Sequence, residues 1–362
     1  LETEGFLRTP SCAGVDFLDV RDYTGQGEAL VGWFDAFFDA KPALGEVAPW
    51  SEVMRPVMFL ARFNRFIWTP SDGFVADLMV RNALATEIPA GTRWRWSLGP
   101  REGWVTTEKP IAPGELATVG RVTMPLFPFA APQRYEFRFG ENRWRLYVLP
   151  ELPAEEPLPA GVVRTADPSV AAAALAKGGR VLYTGRGVNS DTTWFTPIYW
   201  STGLFPARHA HVGLGAVIDA DHPALAPTGC DTWQDEFWRS LFTPNESRWE
   251  QSAFSYRLRD MPADYRPLVT VVPDLHHSFF ISPLFEVCVG EGRLLACGLK
   301  IDADTPSARL LRRSLYRYLA SEDFKPKAKM TMDWFDQSFR GKKVSAPAAK
   351  KMDKFVEDMR NL

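Results

Sequence analysis

Strict alternation of apolar and polar residues in short runs is the feature that most limits how this chain of 362 residues can fold. In Arg93–Leu98, two tryptophans and a leucine fall on one face, and two arginines and a serine fall on the other. Residues 135–139 and 143–148 alternate in the same way. A period of two residues indicates half-buried strands rather than helices. This part of the chain is therefore predicted to fold as β-sheet.

Further strand-like runs lie on either side of these, separated by Gly, Pro and Asn residues. They cover residues 58–63, 74–82 and 117–125. About seven short strands within about 100 residues are typical of an immunoglobulin-like β-sandwich, which we predict for residues 46–150. Because each tryptophan of the alternating runs is followed by an arginine or a serine, we interpret Trp94, Trp96 and Trp144 as core residues rather than as a sugar-binding surface.

The first 45 residues have a different pattern, typical of one strand followed by one helix. Residues 15–20 are a short apolar-rich run, residues 21–27 are a polar loop, and residues 28–39 place apolar side chains on one helical face. Such a βα unit cannot be a domain, because its strand has no partner on either edge. Residues 1–7 fit a helix that is already under way, so we expect the chain to begin inside a longer protein.

The second half of the chain has α/β patterning. Residues 151–161 are rich in proline and glutamate and fit a stiff linker. Over residues 162–323, helical and strand patterns alternate, which predicts an α/β domain with an open, largely parallel sheet. Its helices are predicted at residues 168–177 and 307–321, and its strands at residues 180–184, 211–218, 268–272, 284–289 and 293–299. Residues 324–362 carry ten Lys or Arg against five Asp or Glu and are predicted to be a solvated basic tail with one short helix.

Composition argues against several partners. The net charge of −2 gives no general attraction to nucleic acid or to an anionic membrane. No apolar run approaches the length of a membrane span. The four cysteines have no CxxC spacing, so a disulfide framework is not indicated.

Two other kinds of site, a zinc site and a dinucleotide-binding site, are suggested by parts of the sequence. Each lacks part of the pattern that such a site requires. A zinc site would need ligands from distant loops to converge. The candidate ligands are His209, His211, His222, Cys230, His276 and His277. The tripeptide Gly185-Arg186-Gly187 follows a predicted strand but lacks the spacing and the following helix of a dinucleotide site. We therefore predict neither a metal nor a cofactor.

The beginning of the chain carries a resemblance to a known family. The run FLRTP at residues 6–10 and the run VDFLDVRDYTGQG at residues 15–27 resemble the end of the catalytic (β/α)8 barrel in β-galactosidase-like members of glycoside hydrolase family 2. FTPIYWS at residues 195–201, HPAL at 222–225 and DTWQD at 231–235 resemble a C-terminal α/β domain of some of these enzymes. The resemblance implies that residues 1–45 are the last βα unit of a TIM barrel.

The family implies a retaining β-glycosidase, in which one carboxyl protonates the leaving oxygen and a second attacks the anomeric carbon. In the family these glutamates come from barrel strands four and seven, and the resemblance places the present chain after both. We therefore expect it to lack the catalytic pair. Glu2 and Glu4 fall on the helix before the last strand, where we expect solvated carboxylates without a catalytic role.

The resemblance also indicates substrate-binding residues at the end of the last barrel strand, the face where barrel enzymes place their chemistry. These are Asp19, Arg21, Asp22 and Tyr23. Their carboxylates could accept hydrogen bonds from sugar hydroxyls, and Arg21 could orient a charged substituent. The alternative is that Asp19 and Arg21 satisfy loop backbone and close the barrel with an internal ion pair. Many family members have a tryptophan under the sugar ring here, where this chain has Phe17 and Tyr23.

Residues 162–323 also resemble the glutamine-amidotransferase-like fold, whose active members need a cysteine on a strand-to-helix elbow. Cys288 and Cys297 fall within strand patterns, where a free cysteine is usually a small buried hydrophobe, so we predict a non-catalytic domain.

Two functions follow as hypotheses. The first is part of a retaining β-glycosidase that hydrolyses β-linked glycans together with an upstream barrel segment of the same protein. The alternative is a non-catalytic module that binds a carbohydrate or a partner. The family resemblance favours a periplasmic or extracellular location, and a homo-oligomer is compatible with the sequence.

Overall fold

The computed structural model describes most of the chain. The described residues are 2–12, 14–16, 20–23, 32, 34–41, 54–126, 131–188, 190–195, 213–244, 251–273 and 279–341. The protein is β-rich and contains several sheets. It divides into two compact units, unit 1 (Leu1–Leu152) and unit 2 (Pro153–Leu362). In the described part of the chain, no helix is both long and apolar enough to cross a membrane.

Two sheets form the body of unit 1. Its strands are β1 (Val57–Arg62), β2 (Ile67–Trp68), β3 (Phe74–Asn82), β4 (Arg93–Leu98), β5 (Arg101–Thr106), β6 (Leu116–Met124), β7 (Gln133–Phe139) and β8 (Asn142–Val148). One sheet has the order β1-β3-β6 and the other the order β2-β8-β7-β4-β5. Strand β2 pairs in parallel with β8, and the other described pairs are antiparallel.

One apolar core lies between these two sheets. Phe74 of β3 and Phe137 of β7, from opposite sheets, are both fully buried in it. Trp144 is also buried there, and Trp94 and Trp96 pack against the same core. The prediction that these three tryptophans are core residues is confirmed.

Most strands of unit 1 were predicted, because period-two alternation is a local signal. Strands β3 and β4 have the predicted bounds. Strand β5 was missed: it follows β4 after a turn formed by Gly99 and Pro100, and its side chains are largely exposed, so its sequence has little apolar contrast. Strand β2 was missed because it has only two residues.

Before the sandwich, helix α1 (Glu2–Leu7) confirms the predicted first helix. Leu7 is buried against Met58 and Leu60 of β1. Glu4, expected to be solvated, is only 4% exposed, so that expectation was wrong. The helix has only six residues, too few for a periodic pattern to reveal from sequence which of its faces is covered.

Residues 34–40 contradict the predicted helix. Phe34 and Ala40 form an antiparallel bridge, and the Asp35 amide donates to the Asp39 carbonyl. The Asp35 carboxylate also accepts the amides of Phe37 and Asp39, at 2.8 and 2.9 Å. Local side-chain to backbone bonds of this kind compete with a helix and favour a turn. In the predicted strand, residues 15 and 16 are not in a strand, and residues 17–19 lie outside the described part.

Unit 2 is built on a ten-stranded sheet. Its strands are β9 (Val162–Thr165), β10 (Arg180–Tyr183), β11 (Ser190–Phe195), β12 (Gly213–Ile218), β13 (Thr243–Pro244), β14 (Gln251–Arg257), β15 (Val269–Pro273), β16 (Ile281–Val289), β17 (Gly292–Cys297) and β18 (Lys329–Met330). Its helices are α2 (Pro168–Leu175), α3 (Glu236–Arg239), α4 (Pro306–Ala320) and α5 (Met332–Phe335), with a 3-10 turn at Ala226–Thr228 and a π-helix at Asp336–Arg340. The path through the sheet is β11-β14-β16-β17-β10-β9, with the other strands attached to it.

The sheet is mixed, so the prediction of a largely parallel sheet was wrong. Strands β9, β10 and β17 are adjacent and parallel, and β18 is parallel to β16. The remaining described pairs are antiparallel. Strands β16 and β17 are joined by residues 290–291 alone, and so short a connection forces an antiparallel pair. Both strands were predicted, but this hairpin was not.

Residues 324–341 belong to the packed body of unit 2, although the sequence assigned them to a solvated tail. Phe324 and Phe335 are fully buried, and Phe339 packs in the same core as Tyr183. The high content of lysine hid these apolar side chains. Residues 342–362, including the predicted short helix, lie outside the described part of the chain.

Candidate functional site

Asp22, one of the predicted substrate-binding residues, is a buried side chain held by its own segment. One of its carboxylate oxygens accepts the Gly32 amide at 2.9 Å and the Lys41 ammonium at 2.6 Å. The hydrogen bond and charge of Lys41 lower the pKa of Asp22, with a smaller contribution in the same direction from the Gly32 amide. Asp22 is 6% exposed. Its carboxylate therefore fastens Gly32 and Lys41 to the loop, with both donors on the oxygen Oδ1.

Arg21 and Tyr23, on either side of Asp22, are exposed. The Arg21 guanidinium donates to the Ala36 carbonyl at 3.1 Å and lies 5.0 Å from the centre of the Phe38 ring. The backbone here is also fixed, because the Phe34 amide donates to the Val20 carbonyl and the Asp22 amide donates to the Phe34 carbonyl. Asp19, the fourth predicted residue, lies outside the described part of the chain. The structure thus places Arg21, Asp22 and Tyr23 together on one short, braced loop.

Large apolar side chains surround this loop at the surface. Tyr23 is 57% exposed, Phe37 is 84% exposed and Phe38 is 61% exposed. Phe38 also has a φ of 69°, a left-handed conformation that is uncommon for a bulky residue. Apolar groups clustered at a surface mark places where another molecule or segment is bound. Their concentration on one short segment makes this the first candidate site.

Cys288 and Cys297 of unit 2 do not provide a nucleophile. Cys297 in β17 is 1% exposed, and burial raises its thiol pKa to about 12. Burial also raises the pKa of Cys288 in β16, whose Sγ lies 3.2 Å from the Pro326 carbonyl. A thiol with a raised pKa is a poor nucleophile at neutral pH. The expectation that both cysteines lie within strands is confirmed.

The described residues hold no group of three or more His, Cys, Asp or Glu side chains that could bind a metal ion. His222 is instead next to Glu286, with Nε2 3.6 Å from the carboxylate, and its Nδ1 accepts the Ala224 amide at 3.2 Å. The Tyr318 hydroxyl donates to the same carboxylate at 2.7 Å. Of the other imagined zinc ligands, His209, His211, His276 and His277 lie outside the described part.

A second candidate site, missed in the sequence analysis, is an open cleft in unit 2 of about 870 Å³. It is lined by residues that follow three strands: Ala166 after β9, residues 184–186 after β10, and residues 298–303 after β17. Thr192 and Phe254 line it from β11 and β14. In the sequence, the tripeptide Gly185-Arg186-Gly187 marks this cleft, but it was interpreted only as an incomplete dinucleotide-binding motif. The next described element is β11, a strand, rather than the helix that such a motif requires.

Comparison with known proteins adds little about chemistry. No curated protein matches the chain. Residues 162–340 match a family described as a domain of unknown function (DUF8487), a stretch that starts at β9 and ends with the π-helix of unit 2.

Proposed function

We propose that this chain is the C-terminal portion of a retaining β-glycosidase that hydrolyses β-linked glycans. In this proposal, residues 20–23 and 34–41 lie at the end of the catalytic barrel, where residues 34–40 form a turn instead of the predicted helix. The acid and the nucleophile come from a preceding segment of the same protein. The observation that supports it most is the braced loop, in which the partly buried ion pair of Asp22 and Lys41 holds Arg21 and Tyr23 at an exposed, aromatic surface. The sequence of this loop is also the run that resembles the end of the family's barrel.

The three loop residues have different roles in this proposal. Asp22 is a positioning residue, because its oxygen is already bound by Lys41 and the Gly32 amide. Arg21 has several N–H donors and no acceptor, which suits sugar hydroxyls or a sugar carboxylate. The exposed ring of Tyr23 offers an apolar face and a hydroxyl, as a sugar-stacking residue requires. Asp19 remains a predicted substrate contact.

Two exposed phenylalanines also support the proposal that a preceding barrel segment packs against this region. Phe37 and Phe38 are largely exposed in unit 1. In a complete barrel, elements from the preceding segment would cover such side chains. Burying a phenylalanine contributes roughly 1.5–3 kcal/mol, so this surface has a clear energetic reason to associate with those elements.

The accessory domains in this proposal are an immunoglobulin-like sandwich and an amidotransferase-like α/β domain. The order of strands in unit 1, with sheets of three and five strands around one core, supports the first assignment. In unit 2, β9, α2 and β10 form one βαβ unit with a parallel pair, which supports the second. The antiparallel strands β11 to β16 are additions to that arrangement. Cys288 and Cys297 give it no catalytic thiol.

The test uses the enzyme expressed with its preceding segment. Arg21→Ala and Tyr23→Ala should each lower kcat/KM for an aryl β-glycoside by about tenfold or more, the equivalent of ~1.4 kcal/mol of lost transition-state binding. Their melting temperatures should stay close to that of the wild type, because both side chains are exposed. The control is Arg95→Ala, an exposed arginine on β4 that faces away from the sandwich core. It should change neither quantity.

Two results would refute this proposal. One is hydrolysis of aryl β-glycosides by the purified 362-residue chain, sensitive to a mechanism-based glycosidase inhibitor, because the acid and nucleophile would then lie within it. The other is unchanged kcat/KM in both Arg21→Ala and Tyr23→Ala. Asp22→Ala is informative in a different way: as a positioning residue, it should lower activity and thermal stability together.

A second candidate function, a non-catalytic glycan-binding module, is favoured by one exposed tryptophan. Trp104 of β5 is 56% exposed, and the Arg93 guanidinium lies 5.1 Å from its ring centre. Titration of the chain with β-linked oligosaccharides in a calorimeter tests this function. Binding that is lost in Trp104→Ala but kept in Trp233→Ala, an exposed tryptophan of unit 2, would support it. No heat with any oligosaccharide would exclude the module for the sugars tested.

A further inference from the structure

The cleft of unit 2 lies where ligands bind in many sheets of this kind. Strands β9, β10 and β17 are parallel neighbours, and the cleft opens past the carboxyl ends of all three. Ligands of open α/β sheets bind in crevices outside the carboxyl ends of the strands. Its volume, about 870 Å³, is within the range of small-molecule sites. Position and size therefore both fit a small ligand.

Two positively charged side chains, Arg186 and Lys300, line this cleft. Arg186 and Lys300 are exposed in its lining, and neither has an ion-pair partner among the residues that the structure describes. The lining also contains the carboxylate of Asp302. That carboxylate is bound by Arg164 and lies 3.9 Å from Arg312. The charge still available to a ligand is therefore positive.

The segment that carries Arg186 is fixed by buried tyrosines. The Tyr183 hydroxyl donates to the Arg186 carbonyl, and the Tyr256 hydroxyl donates to the Gly185 carbonyl, both at 2.8 Å. A Cβ on Gly185 would lie 2.1 Å from the Ala166 carbonyl oxygen, so the chain passes closer there than any side chain allows. The Arg186 guanidinium lies 5.2 Å from the ring centre of Phe254. A cation held in this way loses little conformational freedom when it binds an anion.

The opposite wall is fixed through its backbone. The Lys300 amide donates to the Leu241 carbonyl at 2.8 Å, and the Gly298 amide donates to the Pro283 carbonyl at 2.7 Å. A Cβ on Gly298 would lie 2.0 Å from the Phe254 carbonyl oxygen. The two cations thus project from two braced segments into one cleft. Cys297, which also lines the cleft, is buried, so the cleft offers binding without a reactive thiol.

We propose that this cleft binds a small organic anion, of the size of a monosaccharide or disaccharide, whose acidic group is held by Arg186 and Lys300. The threonines of the lining, Thr184 and Thr192, suit a ligand that also carries hydroxyl groups. The acidic group is a carboxylate or a phosphate, since a guanidinium and an ammonium bind both. This site is independent of the barrel-end loop and does not depend on a glycosidase activity.

Calorimetric titration of the 362-residue chain tests the proposal with three probes: glucuronate, glucose 6-phosphate and glucose. At least one of the two anions should bind about tenfold or more tightly than neutral glucose, and the better anion identifies the acidic group. Arg186→Ala and Lys300→Ala should each weaken that binding by about tenfold or more, as loss of a charge-assisted hydrogen bond predicts. Added salt should weaken it as well.

The matched control is Arg239→Ala, an exposed arginine of unit 2 that pairs with Glu236 and does not line the cleft. It should bind the anion like the wild type. The proposal is overturned if neither anion binds at concentrations up to about 10 mM. It is equally overturned if glucose binds as tightly as both anions, or if Arg186→Ala and Lys300→Ala keep the wild-type affinity while circular dichroism shows them folded.

Discussion

Two segments precede the sandwich strands in unit 1, and different contacts hold them. The first, residues 2–12, shares buried polar contacts with the sandwich. Glu4 accepts the Ala61 amide at 3.2 Å and the Trp144 indole N–H at 2.8 Å. The second segment, residues 20–41, is held from within: the hydrogen bonds of Arg21 and Asp22 join them to residues 32–41.

Arg81 of β3 strengthens the attachment of the first segment. Its guanidinium donates to the carbonyls of Leu7, Thr9 and Cys12, at 2.9, 2.7 and 3.1 Å. The last carbonyls of a helix have no partner within the helix, so Arg81 supplies donors that α1 lacks. Helix α1 is therefore part of the sandwich unit. In the proposed function, the surface that awaits a further segment is therefore that of residues 20–23 and 34–41 rather than the helix.

The largest effect should come from Arg81. In Arg81→Ala, the carbonyls of Leu7, Thr9 and Cys12 each lose a charged donor at once, the first of them in a buried bond. The free energy of unfolding should fall by about 3–4 kcal/mol. Urea denaturation of the chain, followed by tryptophan fluorescence, measures this loss. The control is Arg121→Ala on the neighbouring strand β6, whose side chain is largely exposed and pairs with Asp77. Equal destabilisation by the two substitutions would contradict the difference between the segments.

A smaller effect should follow from Glu4→Gln. The Ala61 amide and the Trp144 indole donate to different oxygens of the Glu4 carboxylate, so in glutamine one of these donors would face the NH2 group. The free energy of unfolding should fall by about 1–3 kcal/mol. Trp144→Phe removes the indole donor alone, and a double-mutant cycle between the two substitutions should show coupling. Strictly additive effects would mean that the Glu4–Trp144 hydrogen bond does not stabilise the protein.

The smallest effect concerns the second segment and is a shift of a titration. Lys41 lowers the pKa of Asp22 in the folded protein. The Asp22–Lys41 ion pair is therefore fully formed above the ordinary aspartate pKa of 3.8, and it is lost as the pH falls through the lowered pKa of the folded state. The NMR shift of the Gly32 amide, which donates to Asp22, should titrate with a midpoint below 3.8. Lys41→Ala should raise this midpoint. Lys109→Ala, at an exposed position of unit 1, should leave the midpoint unchanged. A midpoint that Lys41→Ala does not change would refute the ion pair between Asp22 and Lys41.

Local patterns predicted most strands of unit 1 and the two longest helices of unit 2, whereas β9, β11 and β14 of unit 2 were missed. Helix α2 begins with Asp167 as its cap and ends before Gly178, and both signals are visible in the sequence. Helix α4 likewise begins after Thr305, which caps it through the Ala308 amide. Each of these signals acts within a few residues, so a single sequence contains it in full.

Pairing direction and burial of charge were not predicted, because they depend on residues far apart in the chain. The sheet of unit 2 was expected to be largely parallel, yet β16 pairs with β17 through a two-residue hairpin and with β14 from an earlier part of the chain. The cleft was missed for the same reason. Arg186 and Lys300 are more than 100 residues apart, and only the parallel pairing of β10 and β17 brings their loops together.

The sequence by itself determined the short-range features of this protein: alternating strands, capped helices, and the loop motif that resembles the end of a glycosidase barrel. Only the tertiary structure decided that Glu4 is buried, that residues 324–341 pack into unit 2, and that Asp22 is held by Lys41. A carboxylate or a lysine-rich run looks solvated in a sequence because charged groups are costly to bury alone. Burial becomes favourable only when a distant donor, such as the Trp144 indole for Glu4, satisfies the group in the folded chain.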